Sequence, residues 1–275
     1  MAQAADTPNE LSQLIRSAAS YQTGQSMQPL RRIEQLIRQS ATDAPLRGTI
    51  EMGLGELLTG ESTQEAKQFA CQHLSTIGTE RTLPAITSLL NSESTASLAC
   101  QTLVNHPAPQ ATAALRDALK TAPARVRPEI ISALGDRQDG SSVSLLTKLA
   151  KDPDRTLARA AILAMGKIAD GPARDTIAEL RKQPPADLRS AVNEASMRAA
   201  EKLASSGEAR EAVLIYDALA APGQPENVRR GAFEALLNLD PDAGEERVLK
   251  TLHGKPLNVV SKTSLVSAQT RPHHR

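Results

Sequence analysis

Residues 131–154 and 162–185 share eight identities in 24 positions at an offset of 31. Ile131 returns as Ile162, Ala133 as Ala164, Gly135 as Gly166 and Asp139-Gly140 as Asp170-Gly171. Leu149 returns as Leu180, Lys151 as Lys182 and Pro153 as Pro184. Self-similarity at a period of roughly 20–50 residues marks a stacked array, in which no unit buries its apolar faces alone. Each unit reads as two helices. Over 155–169, Leu157, Ala161, Ala164, Met165 and Ile168 recur three and four apart, which is one helix face. Asp170-Gly171-Pro172 is a turn followed by proline in a first helical turn, where its missing N–H costs nothing. Ala173, Ile177 and Leu180 then form a second stripe over 172–182. Extended along the chain, this register predicts helices near 7–20, 26–39, 44–59, 63–77, 80–91, 94–104, 108–121, 124–135, 141–151, 156–169, 172–182, 186–206, 209–220, 226–238 and 242–252. No segment alternates with period two, so no strand is expected.

The composition agrees. Alanine (43) and leucine (34) make up over a quarter of the 275 residues, while there is no Trp and only two Phe and two Tyr. Aromatic side chains fill the centre of a wide core; a two-layer array of helices has no such centre, and alanine lets helices approach closely. Hydrophobic residues at 40% and a net charge of +1 argue against disorder throughout and against a general attraction to nucleic acid. No apolar run approaches the roughly 20 residues that span a bilayer. Met1 to Glu10 hold no apolar stretch. Two addresses stay open: cytoplasmic as written, or exported if Ala2-Gln3-Ala4-Ala5 is the remnant of a cleaved leader. Cys71 and Cys100 sit in matched strings, Ala70-Cys71-Gln72 and Ala99-Cys100-Gln101, 29 residues apart. As equivalent positions on stacked helices about 8–10 Å apart they are expected to be free, buried thiols, since a disulfide needs Cα atoms within roughly 7 Å.

The run Arg155-Thr-Leu-Ala-Arg159-Ala-Ala-Ile-Leu-Ala-Met165-Gly-Lys-Ile-Ala-Asp170 and the run Asn227-Val-Arg229-Arg-Gly-Ala-Phe-Glu-Ala-Leu-Leu-Asn-Leu-Asp240 resemble HEAT repeats. Their flavour is the short bacterial, phycobilisome-lyase-like type, and the stretch from Ala66 to Arg137 is similar to HEAT segments of exported proteins in planctomycete-like bacteria. The resemblance is good over 63–252 and weaker over 1–62. One unit, Gly207 to Leu219, has a tetratricopeptide flavour. The resemblance implies an all-α, right-handed α-α superhelix of about 6–7 helical pairs over residues 1–253, with 1–62 less regular and 254–275 an irregular basic tail. It also implies a non-enzymatic scaffold for a protein partner. Two alternatives are a lyase-type subunit assisting tetrapyrrole attachment and a HEAT-like nucleic-acid binder; the scarcity of aromatics and of net basic charge favours neither.

Enzyme signatures are absent: no G-x-S-x-G, no Walker A loop and no H-E-x-x-H. Gly53-Leu-Gly55 to Gly60 has the wrong spacing for a nucleotide loop and reads as a helix end. His73, His106 and His253 fall in separate units without a carboxylate three or four residues on, so no metal or cofactor is expected. A charge pattern remains. Lys120, Lys151 and Lys182 recur every 31 residues, each expected in the last turn of a second helix. In HEAT arrays second helices line the concave face, so these lysines, joined by Arg116, Lys148, Arg174 and Arg181, form a candidate surface for an acidic partner segment. The helix dipole also favours lysine in a last turn, and Asp117, Asp175 and Glu179 dilute the pattern. Arg159, Arg189 and Arg229, near the starts of first helices, are expected to bridge to acids such as Asp152, Asp154 and Asp187.

Overall fold

The computed structural model describes residues 7–239. Among these residues there are fourteen α-helices and no strand: α1 (Thr7–Ala19), α2 (Gln28–Gln39), α3 (Ala44–Thr59), α4 (Gln64–Ile77), α5 (Leu83–Ser88), α6 (Glu93–Asn105), α7 (Gln110–Thr121), α8 (Arg127–Asp136), α9 (Val143–Leu149), α10 (Arg155–Ile168), α11 (Gly171–Lys182), α12 (Arg189–Ser205), α13 (Ala209–Ala220) and α14 (Glu226–Leu239). The helix expected over 242–252 and the tail expected from 254 lie outside the described residues. The chain divides into two compact units, Met1–Ala164 and Met165–Arg275.

Helix ends follow their local chemistry. Asp43 accepts from Leu46 N–H ahead of α3, Thr63 from Ala66 N–H ahead of α4, and Asp170 from Ala173 N–H ahead of α11. Each closes one of the free amides that a helix start leaves open. Pro45, Pro84, Pro128 and Pro172 stand in first turns. Two expected helices are shorter than the stripe suggested. The segment 80–91 is a six-residue α5 between two 3₁₀ turns, and 141–151 is a seven-residue α9 preceded by a 3₁₀ turn and ended at Leu149. Pro153 explains the early end of α9, because it drives Asp152 out of the helical region. Lys151 therefore lies in a turn beyond α9, not in its last turn.

In the first unit the helices form two layers. Odd-numbered helices neighbour one another, α1 on α3, α3 on α5 and α5 on α7. The even ones do likewise, α4 on α6 and α6 on α8, and His73 of α4 reaches Glu34 of α2. Sequential helices join successive pairs across the layers, as α3 with α4 and α7 with α8. The odd helices are the second members of the pairs read from the repeat. Small residues set the spacing: a Cβ placed on Gly135 of α8 would sit 2.7 Å from Ala164 Cα. Ala66, Ala70, Ala96 and Ala99 are fully buried at such contacts. The first 62 residues, expected to be less regular, carry α1 to α3 in the same layered arrangement, with Leu30, Ile33, Ile50 and Leu54 buried.

In the second unit α11, α12, α13 and α14 pack in sequence, and α12 also meets α14. The close contact recurs at the repeat offset, a Cβ on Gly166 falling 2.6 Å from Ala195 Cα. This unit holds a buried hydrophobic cluster in which Tyr216 and Phe233 join Leu203, Leu219 and Leu236. It coincides with the unit of tetratricopeptide flavour.

Candidate functional site

The structure places four of the seven candidate basic residues in the first unit and three in the second. Arg116 and Lys120 are on α7 and Lys148 is on α9, with Lys151 just after it; Arg174, Arg181 and Lys182 are on α11. Their partners divide them into two kinds. Arg116 pairs with Asp139, whose carboxylate also accepts from Ser142 Oγ and from Ser141 N–H at 3.2 Å. That arginine latches α7 to the turn leading into α9. Arg174 Nη1 donates to the Ala169 carbonyl at 3.1 Å. Arg181 is half-buried, and burial draws its pKa below the ordinary arginine value. Lys120 with Asp117 at 2.7 Å and Lys182 with Glu179 at 2.6 Å are surface pairs one helical turn apart; pairs so exposed contribute little and leave the ammonium groups free to exchange partners. Lys148 and Lys151 are exposed, and their ammonium groups have no ion-pair or hydrogen-bond partner among the described residues.

Arg116 and Lys120 come together at a cleft of about 380 Å³ in the first unit. Leu119, Ile131, Leu145, Leu149 and Leu157, from α7, α8, α9 and α10, line its apolar part. Arg116, Lys120 and Arg127 rim it with Asp117 and Asp152. Arg127 had no part in the sequence expectation. Its signal is weak, a basic residue beside Pro128 in a first turn, and part of its guanidinium is already spent, Nε donating to the Ala122 carbonyl at 3.0 Å. Leu149 was visible as one of the repeated positions. A larger cleft of about 780 Å³ between α5 and α7 is lined by Leu83, Pro84, Ala114 and Ala118 with neutral polar and acidic side chains and no basic one.

Of the first-helix arginines expected to bridge to acids, Arg229 is engaged differently. Arg229 Nε donates to the Ala220 carbonyl at 3.3 Å, a helix-end acceptor and not an acid. Asp154 caps α10 by accepting from Thr156 and Leu157 N–H, and Asp152 accepts from Asp154 N–H. Cys71 and Cys100 occupy the eighth positions of α4 and α6, equivalent as expected, and both are buried and free. Burial pushes the Cys71 thiol up to about 11 and the Cys100 thiol, beside Glu129, up to about 12. Neither forms the thiolate that nucleophilic chemistry needs near neutral pH. His73 stands edge-on to Phe69, ring centroids 4.5 Å apart, and His106 is 2% exposed. Among the described residues no group of three or more His, Cys, Asp and Glu is arranged to hold a metal ion, and no helix is long and apolar enough to cross a membrane.

Residues 51–134 and 112–198 match the family model described as HEAT repeats, together spanning more than half of the chain. No curated protein matches it. Among solved structures the chain is similar to an engineered protein, at 18% identity over 78% of this chain and 97% of that one, with a TM-score of 0.37. It is also similar to a designed armadillo repeat protein in complex with the peptide (KR)4, at 18% identity over 84% and 100% of the two chains and a TM-score of 0.36. A third is human deoxyhypusine hydroxylase in complex with glycerol, at 15% identity over 95% and 96% and a TM-score of 0.34.

Proposed function

The chain belongs to the HEAT-repeat family, and we propose that it serves as a non-enzymatic protein-interaction scaffold whose second helices take an acidic, partly apolar segment of a partner protein. One observation supports this reading above the others: the cleft of about 380 Å³ combines an apolar lining of leucines with a rim on which Arg116, Lys120 and Arg127 outnumber Asp117 and Asp152. An apolar lining with a few placed polar groups is what a binding site needs, burial supplying affinity and the charges fixing orientation. Lys148 on α9 and Lys151 in the turn after it add two exposed ammonium groups without internal partners. Lys182 at the end of α11 offers a further exposed ammonium group to the same kind of partner.

The test is binding of an acetylated, amidated peptide of alternating leucine and glutamate to the full chain, read by fluorescence anisotropy. Lys148→Glu with Lys151→Glu is expected to weaken binding about tenfold at low salt, with the difference shrinking as salt screens exposed charges. Binding that ignores the charge reversal overturns the assignment of this face.

A further inference from the structure

Several arginines of the fold reach acceptors of their own. Arg32 meets Glu10, Arg116 meets Asp139 and Arg198 meets Glu194. Arg137 donates to the Leu103, Val104 and His106 carbonyls at the end of α6. Arg47 differs. Its Nε is buried without a hydrogen-bond partner. Neither its guanidinium nor that of Arg81 has an ion-pair partner among the described residues. A buried donor left without an acceptor is costly and calls for a reason.

Arg47 and Arg81 line one cleft of about 590 Å³ in the first unit. Its walls are the first turns of α3, the segment 78–81 between α4 and α5, and Pro107 and Ala108 ahead of α7. The space beside Gly48 is open, with no atom within 4 Å of where a Cβ would stand. The two acids of the cleft are already engaged. Glu51, 2% exposed, accepts on Oε1 from Thr79 N–H at 2.6 Å, Thr79 Oγ1 at 2.7 Å and Thr82 Oγ1 at 3.1 Å. It thereby fixes the segment that carries Arg81. Glu80 accepts from Gln110 Nε2 at 2.8 Å. The acids have donors and the arginines have no acceptor.

We propose that this cleft binds a carboxylate side chain of an extended acidic peptide segment, gripped by the Arg47 and Arg81 guanidinium groups. Guanidinium presents a planar fork of N–H donors that matches a carboxylate, and such charge-assisted bonds are about twice as strong as neutral ones. The volume exceeds what a lone ion needs, and Ala44, Pro107 and Ala108 offer apolar surface to the methylenes of a glutamate and its backbone. The inference rests on the reading of the chain as a scaffold for a protein partner, and adds a second anchor point away from α7 and α9.

The probe is an acetylated, amidated hexaglutamate peptide, titrated at low salt against the full chain and read by fluorescence anisotropy. Arg47→Gln and Arg81→Gln are each expected to weaken binding about tenfold, while Arg210→Gln, on exposed α13 surface, leaves it unchanged. Arg81 is itself exposed, so its variant reports on binding even if Arg47→Gln disturbs the fold. Hexaglutamate binding insensitive to both substitutions but lost in Lys148→Glu overturns this cleft and leaves the scaffold reading standing. No binding by the unaltered protein up to about 1 mM peptide overturns both. Inorganic phosphate displacing the peptide at equal concentration overturns the peptide assignment in favour of a small anion.

Discussion

Gly135 and Gly166 repeat because of what faces them. A methyl on Gly135 would press on the Ala164 backbone, 2.7 Å from its Cα, where no rotamer change gives relief. Gly135→Ala is expected to cost about 1–3 kcal/mol through overpacking. Gly48→Ala, in the interior of α3 with nothing within 4 Å, is expected to stabilise by about 0.5–1 kcal/mol through helix propensity. Urea midpoints of the two variants moving in the same direction would refute the close-contact account. The turn residues are a second case of repetition. Gln138 and Ala169, 31 apart, both hold left-handed φ, 54° and 51°, at the ends of α8 and α10. The glycines of the two Asp-Gly pairs do not carry the turn; they open the next helical segments. His106 supplies a pH dependence. Burial, then the nearby Arg137 charge, draws its pKa below the usual 6.5, with Glu51 opposing. The unfolded chain therefore binds a proton more readily than the folded one. Stability from this group is complete above the ordinary histidine value and falls as pH drops through it. His73 shifts the same way, burial being the largest cause. The loss of urea midpoint between about pH 7.5 and 5.5 is expected to shrink in His106→Asn, where the amide oxygen keeps an acceptor for Ala108 N–H. An unchanged loss would remove His106 from the account.

At the scale of the helix, a stripe is worth what its neighbours let it bury. Ile177 on α11 is 2% exposed. Ile177→Ala is expected to cost about 2–4 kcal/mol, the range for large-to-small changes in a packed core. Lys182→Ala, at the exposed end of the same helix, is expected to change stability by only a few tenths of a kcal/mol. Thermal unfolding of both checks the contrast; equal losses would mean that α11 is held by its surface charges. Helix boundaries were legible in the sequence wherever a cap or first-turn proline marked them, as at Asp43-Ala44-Pro45 and Asp170-Gly171-Pro172. They were least legible at 80–91 and 141–151. There the apolar spacing continues while the backbone tightens to 3₁₀, because three- and four-residue spacings serve both helix types.

At the scale of the molecule, stability in a repeat array is a sum of unit and neighbour terms, so it need not be lost at once. Hydrogen exchange on the full chain is expected to show protection graded from repeat to repeat, the unit around Leu203, Tyr216 and Phe233 opening separately from helices of the first unit. A single uniform protection level across α1 to α14 would contradict that energetics. The all-α architecture and the pairing of helices followed from the sequence alone, because a 31-residue period with three- and four-residue apolar spacing admits no other economical burial. The equivalence of Cys71 and Cys100 followed from it too. What the repeat could not show was which basic residues are spent inside the fold. Arg116, Arg174 and Arg229 look alike on the page, yet each meets its own acid or carbonyl, since acceptors at helix ends come from elsewhere in the chain. For the same reason Arg47 and Arg81, 34 positions apart and outside any periodic pattern, became a pair only when α3 and the turn after α4 were folded side by side over the buried Glu51.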